Sequence, residues 1–88
     1  MSNLKGVIVH IEHRIGWVAI RDEIGEITIA ELIGGYDVEK GNIITGNLHS
    51  EGGETFYNLS TDEELDVYVE YIHLTEAQAI LAIQKCGR

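Results

Sequence analysis

The chain has 88 residues, 44 % apolar and 24 % charged, with 15 Asp and Glu against 6 Lys and Arg for a formal net charge of -9. A chain this short hides only roughly 60–65 % of its unfolded surface, so it holds one core and no interdomain cleft, and its composition excludes wholesale disorder. The acid surplus repels phosphate backbones, and the cations Lys5, Arg14, Arg21, Lys40, Lys85 and Arg88 form no run, so nucleic-acid binding is handicapped. Acidity of this kind serves solubility or attracts a basic partner.

The absence of proline and the ten glycines fit a β-rich chain, because central ladders exclude proline while tight turns recruit glycine. Val7, Val9 and Ile11 alternate with Ile8, His10 and Glu12, which predicts a first strand with one apolar and one mixed face. Trp17 to Arg21 reads as a second strand, entered through Arg14-Ile15-Gly16 and left through Asp22-Glu23-Ile24-Gly25. That turn is short, so the next strand should be a hairpin neighbour. Glu26 to Leu32 forms it, with Ile27 and Ile29 on one face and Thr28 and Ala30 on the other, the pattern of a half-buried sheet. Tyr36 to Asn42 connects to a fourth strand at about Ile43 to His49, in which Gly46 marks a bulge or a barrel corner.

Ser50-Glu51-Gly52-Gly53 is a strong turn signal and predicts a hairpin into Thr55 to Leu59. Ser60 with Glu63 fits a capping box and could open one helical turn, after which the β-branched run Leu65 to Ile72 favours a last strand. Thr75 with Gln78 is a second capping box, and Glu76 suits the positive end of a helix dipole. A closing helix follows, whose Ala77, Ile80, Leu81 and Ile83 stripe could cover a face or an open end of the barrel.

Gly6 opening strand one, Gly16-Trp17-Val18-Ala19-Ile20 in strand two, Gly25 in the turn and Val38-Glu39-Lys40-Gly41 before strand four carry a family likeness. Over the first half of the chain this order resembles the OB-type barrels of cold-shock and related RNA-binding domains. The resemblance implies a small OB-like barrel and binding of single-stranded RNA or DNA through Trp17, Arg14 and Arg21, with His10 contributing from outside. That family reads K-G-F-G-F-I in its second strand and V-F-V-H in its third, and each exposed aromatic stacks on a base for about 1–3 kcal/mol. Here Val18 and Ala19 replace the Gly and second Phe, and Ile27-Thr28-Ile29-Ala30 has no aromatic. The likeness thus carries the fold further than the activity. Trp17 is either a packed anchor or a one-ring platform beside Arg14 or Arg21, and its exposure separates the two.

His10 and His13 point to opposite faces of a strand, although His10 and Glu12 share one, and His49 and His73 fall on other elements. Without a cysteine pair these read as isolated surface or partly buried histidines, and no metal and no cofactor are expected. Asp62-Glu63-Glu64-Asp66 lacks the alternating ligands and turn glycine of a calcium loop and reads as a solvated turn. Ser50 beside His49 sits in no nucleophile elbow, and neither Gly34-Gly35 nor Gly52-Gly53 has the Lys-Ser/Thr or helix start of a phosphate loop. No enzyme is expected. The lone Cys86 cannot close an intrachain disulfide, the start at Met1 to Lys5 lacks a leader pattern, and no apolar run reaches the roughly 18 residues of a membrane span. These features predict a cytoplasmic protein.

Phe56, Tyr57, Tyr68 and Tyr71 fall on two strands expected to pair. Period two sets Tyr57 against Phe56 and Tyr68 against Tyr71, so some of these rings face solvent, as a protein contact or as cross-strand packing. The sequence therefore predicts one domain over residues 1–88, mainly β: an OB-like antiparallel barrel or rolled sheet of five or six strands over about 4–73, and a C-terminal helix over about 75–86. Its expected role is a non-enzymatic binding module for a basic protein partner or a second copy of itself, with edge pairing as a route to a homodimer. Weak single-stranded nucleic-acid binding is the alternative.

Overall fold

The computed structural model describes residues 4–34 and 37–86, Cys86 by its backbone alone. Expectations that touch Met1 to Asn3, Gly35, Tyr36, Arg88 or the Cys86 thiol lie outside the described residues. Six strands, β1 (Leu4–Glu12), β2 (Trp17–Asp22), β3 (Ile27–Leu32), β4 (Ile43–Gly46), β5 (Gly52–Asn58) and β6 (Glu63–Leu74), precede one helix, α1 (Glu76–Cys86). The strands close into a barrel in the order β1-β2-β3-β6-β5-β4, and every neighbouring pair is antiparallel. The fold is mainly β, and of the expected forms the closed six-stranded barrel is the one adopted. Closure depends on β1, whose Leu4 to Val7 pair with β4 while Gly6 to Glu12 pair with β2. No helix among the described residues is long and apolar enough to cross a membrane.

The barrel interior is filled by Ile8, Val18, Ile20, Ala30, Ile44, Phe56, Leu65, Val67 and Val69. Two glycines make room for this packing. A Cβ at Gly6 would stand 2.5 Å from Ile20 Cγ2, and one at Gly46 would stand 2.7 Å from Phe56 Cδ1. Directly after β4 the Leu48 amide donates to the Gly46 carbonyl at 3.0 Å, a tight bend that drops the Leu48 side chain into the core. The corner expected at Gly46 is therefore present, and β4 stops there. The buried Thr28 hydroxyl donates to the Leu48 carbonyl at 2.8 Å, so it satisfies a backbone acceptor inside the apolar cluster.

A second cluster lies outside the barrel, where Ala79 and Ile83 of α1 pack with Trp17, Ala19, Ile27 and Ile29. The Thr75 capping box forms as expected: the Gln78 amide donates to Thr75 Oγ1 at 3.1 Å, and the Thr75 amide donates to Gln78 Oε1 at 2.9 Å. The helix starts there and folds back on its own barrel. Both faces of β2 and β3 are consequently buried, in place of the half-buried β3 that alternation suggested.

Three β-bulges overturn the simple alternation. Ile8 pairs with Ile20 and His10 with Ala19, leaving Val9 as the extra residue of β1. Hence Ile8 and Ile11 face the interior while Val7 and Val9 face out, unlike the expected Val7-Val9-Ile11 face. On β6 the pairs Ala30 with Val69, Ile29 with Tyr71 and Ile27 with Leu74 leave extra residues around Glu70 and at Ile72-His73. The first of these turns Tyr71 to the outside, so Tyr68 and Tyr71 share the outer surface instead of opposing each other. The Ser60 segment opens no helix: Asn58 Oδ1 accepts from the Ser60 and Thr61 amides at 2.9 and 3.3 Å and shapes a turn.

Candidate functional site

Trp17 is 8 % exposed and packs in the outer cluster, with its ring edge-on to Tyr71 at a centroid separation of 6.2 Å. Of its two readings, the packed anchor is the one the structure adopts. Arg14, in the β1–β2 turn, pairs through Nε with Glu12 Oε2 at 3.2 Å, and His10 stands exposed 3.9 Å from Glu12. Arg21 lies four residues beyond Trp17 on β2, about 13 Å along the strand, past Ala19, which α1 covers. Arg14 and His10 thus meet at Glu12, the cross-strand partner of Trp17, while Arg21 lies apart along β2. The outer face of β2 and β3, the side on which OB-type barrels carry oligonucleotides, lies beneath α1. A groove of about 500 Å³ between α1 and β1 is floored by Val9, Ala19 and Ile27 and edged by His10, Glu12 and Arg14.

The tyrosines divide differently from the expected cluster. Phe56 is 1 % exposed and belongs to the barrel core, because β5 alternates and Phe56 faces Leu65 across the ladder. Its assignment to a contact surface is corrected accordingly. Tyr57, opposite Glu64, is half-buried, whereas Tyr68 and Tyr71 are 48 % and 38 % exposed. Tyr68 stands between Gly53 of β5, which has no side chain to cover it, and Glu31 of β3. Residues 41–84, which include β5 and β6, contain no Lys or Arg. That asymmetry was visible in the sequence, but only pairing of β5 with β6 turns it into one acidic face carrying tyrosines.

A second constellation brings together His49 and His73, which the sequence suggested were isolated. Asp22 ends β2 with its side chain 1 % exposed. Its Oδ1 accepts from the amides of Ile24 at 3.1 Å and Glu26 at 3.0 Å, an Asx-type turn that closes the β2–β3 hairpin with Gly25 at φ 89°. The other oxygen, Oδ2, lies 2.6 Å from His49 Nε2. His49 follows Leu48 in the β4–β5 connection, so the bend that buries Leu48 also positions this ring. His73 occupies the second bulge of β6 at φ 58°, a left-handed conformation that costs a non-glycine residue roughly 1–2 kcal/mol. Its Nδ1 is 2.6 Å from Glu26 Oε1, and its ring centroid is 4.3 Å from that of His49 at 53° between planes.

Glu26, His49 and His73 each offer a donor atom within 4.8 Å of the others. They come from the β2–β3 turn, the β4–β5 connection and the end of β6, segments joined only by barrel closure. The pairing of Ile27 with Leu74 is what sets His73 beside Glu26. No spacing in the sequence encodes that neighbourhood. Comparison with known proteins finds no match to a family model, to a curated protein or to a solved structure, and what the fold carries is a small closed barrel with one C-terminal helix, compatible with an OB-like barrel.

Proposed function

We propose that the chain is a non-enzymatic binding module that engages a basic segment of a protein partner on the outer face of β5 and β6. The carrying observation is the pair Tyr68 and Tyr71, both exposed on strands that hold carboxylates and no Lys or Arg. Tyrosine supplies broad contact area with a polar tip and is enriched at interfaces, and the surrounding acids favour Lys and Arg in the partner. Closure of the barrel gives each strand a partner on both sides over part of its length, which limits pairing with a second copy. A basic protein is thus favoured over strand-mediated self-association. Nucleic-acid recognition has weaker support, since Trp17 is packed and the cations stand apart.

The test is an amide-resolved NMR titration of the labelled chain with a Lys/Arg-rich peptide, an acidic control peptide and a mixed-sequence single-stranded oligonucleotide. The cationic peptide should shift β5 and β6 resonances saturably, more weakly as salt rises, and Tyr68→Ala should reduce its affinity about tenfold or more. Shifts confined to β1 and β2 on adding the oligonucleotide, with Trp17 quenching, would reverse the order of the two readings. A cationic peptide that leaves β5 and β6 unmoved would remove the proposal.

A further inference from the structure

We propose that Glu26, His49 and His73 form a binding site for one divalent transition-metal ion of the zinc class, beside the buried carboxylate of Asp22. Two imidazole nitrogens and a carboxylate oxygen suit zinc and its first-row neighbours, whereas calcium and magnesium call for more oxygen ligands. The donor atoms already lie within 4.8 Å of one another. At metal–ligand lengths of about 2.0–2.1 Å, tetrahedral ligands are about 3.3 Å apart. His49 Nε2 to Glu26 Oε1, at 3.9 Å, must close slightly, and His73 Nδ1 to Glu26 Oε1, at 2.6 Å, must open slightly.

The supports of these ligands are built in. Asp22 is clamped through Oδ1 by two backbone amides, which leaves Oδ2 directed at His49. That oxygen lies on Nε2 of His49, the same nitrogen that faces Glu26, so an ion bound there replaces the hydrogen bond to Asp22. His73 is held at the site by a backbone conformation that histidine adopts only at a cost, and its side chain remains half exposed, which leaves the metal a route in and a position for water. Two carboxylates at one point of a chain with net charge -9 also favour a cation over the bare cluster. On binding, the ion takes the lone pair of each ligating nitrogen, and a proton held there moves to the other ring nitrogen or to solvent.

The experiment is calorimetric titration of the chelator-treated full chain with zinc chloride, repeated for His73→Ala, Glu26→Gln and His10→Ala, with circular dichroism confirming that each variant is folded. About one zinc should bind per chain, the His73 and Glu26 variants should lose at least about tenfold in affinity, and His10→Ala should bind as the parent does. Zinc should raise the melting temperature of the parent and leave that of His73→Ala unchanged. Absence of saturable binding, undiminished affinity in His73→Ala, or loss on His10→Ala would each overturn the proposal. Cobalt in place of zinc adds a spectroscopic signature: a tetrahedral visible band in the parent supports the site, and the same band in His73→Ala refutes it.

Discussion

Tyr71 of β6 meets Trp17 of β2 edge-on across the intervening β3, with ring centroids 6.2 Å apart and planes at 69°. The contact exists because the extra residue near Glu70 rotates Tyr71 out of the barrel. It links the wall of the barrel to the outer cluster beneath α1, and it gives Tyr71 a packing partner on the surface it shares with Tyr68.

Tyr71→Ala should cost about 1–2 kcal/mol, the worth of an aromatic pair and some apolar cover. Tyr68→Ala, at a ring beside Gly53, should cost well under that. Trp17→Ala should cost about 3–5 kcal/mol, because it empties a packed site. Urea unfolding of the three variants tests the ranking, and native Trp17 emission should be blue-shifted relative to the unfolded chain. Equal costs for Tyr68 and Tyr71 would contradict the packing of Tyr71 against Trp17.

Glycine substitutions should sort by what the added methyl meets. Gly6→Ala places a Cβ 2.5 Å from Ile20 Cγ2 and 2.9 Å from the Arg21 carbonyl oxygen, and Gly46→Ala places one 2.7 Å from Phe56 Cδ1. Both should lose about 1–3 kcal/mol or more through overpacking. Gly53→Ala meets nothing within 4 Å and should be neutral or gain up to about 1 kcal/mol. Thermal melts of the three proteins decide it.

Asp22→Ala should destabilise the fold by about 2–4 kcal/mol, since it removes an acceptor shared by two backbone amides and the partner of His49. The loss should be local first: exchange of the Ile24 and Glu26 amides with deuterium should accelerate ahead of those in β5. Uniform acceleration over all strands would show that the hairpin turn has no separate dependence on this carboxylate.

His73→Gly should be more stable than His73→Ala by about 1 kcal/mol, because both lose the contact with Glu26 but only glycine is free of the left-handed penalty at φ 58°. Denaturant midpoints at equal slope measure the difference. The reverse order would mean that the bulge relaxes when the imidazole is removed.

Much of the fold was legible along the chain. The β2–β3 hairpin around Asp22-Glu23-Ile24-Gly25, the corner at Gly46 and the capped helix after Thr75 all follow from interactions between residues a few positions apart. The strand limits were less so: β5 begins at Gly52, inside the segment read as a turn, because Gly52 and Gly53 pair with Val69 and Tyr68. Of the candidate contact residues, Tyr68 and Tyr71 reached the surface, Phe56 went to the core, and Trp17 was covered from outside by an element about sixty residues further along the chain.

By itself the sequence determined the β-rich class, the acidic second half, the turns and the capped helix, since alternation, turn chemistry and capping act over two to four residues. Only the tertiary structure decided where the bulges fall, which face of β1 and which tyrosines turn inward, and that His49, His73, Asp22 and Glu26 meet. Those outcomes depend on strand register and barrel closure, where a single extra residue reverses the facing of all that follow it.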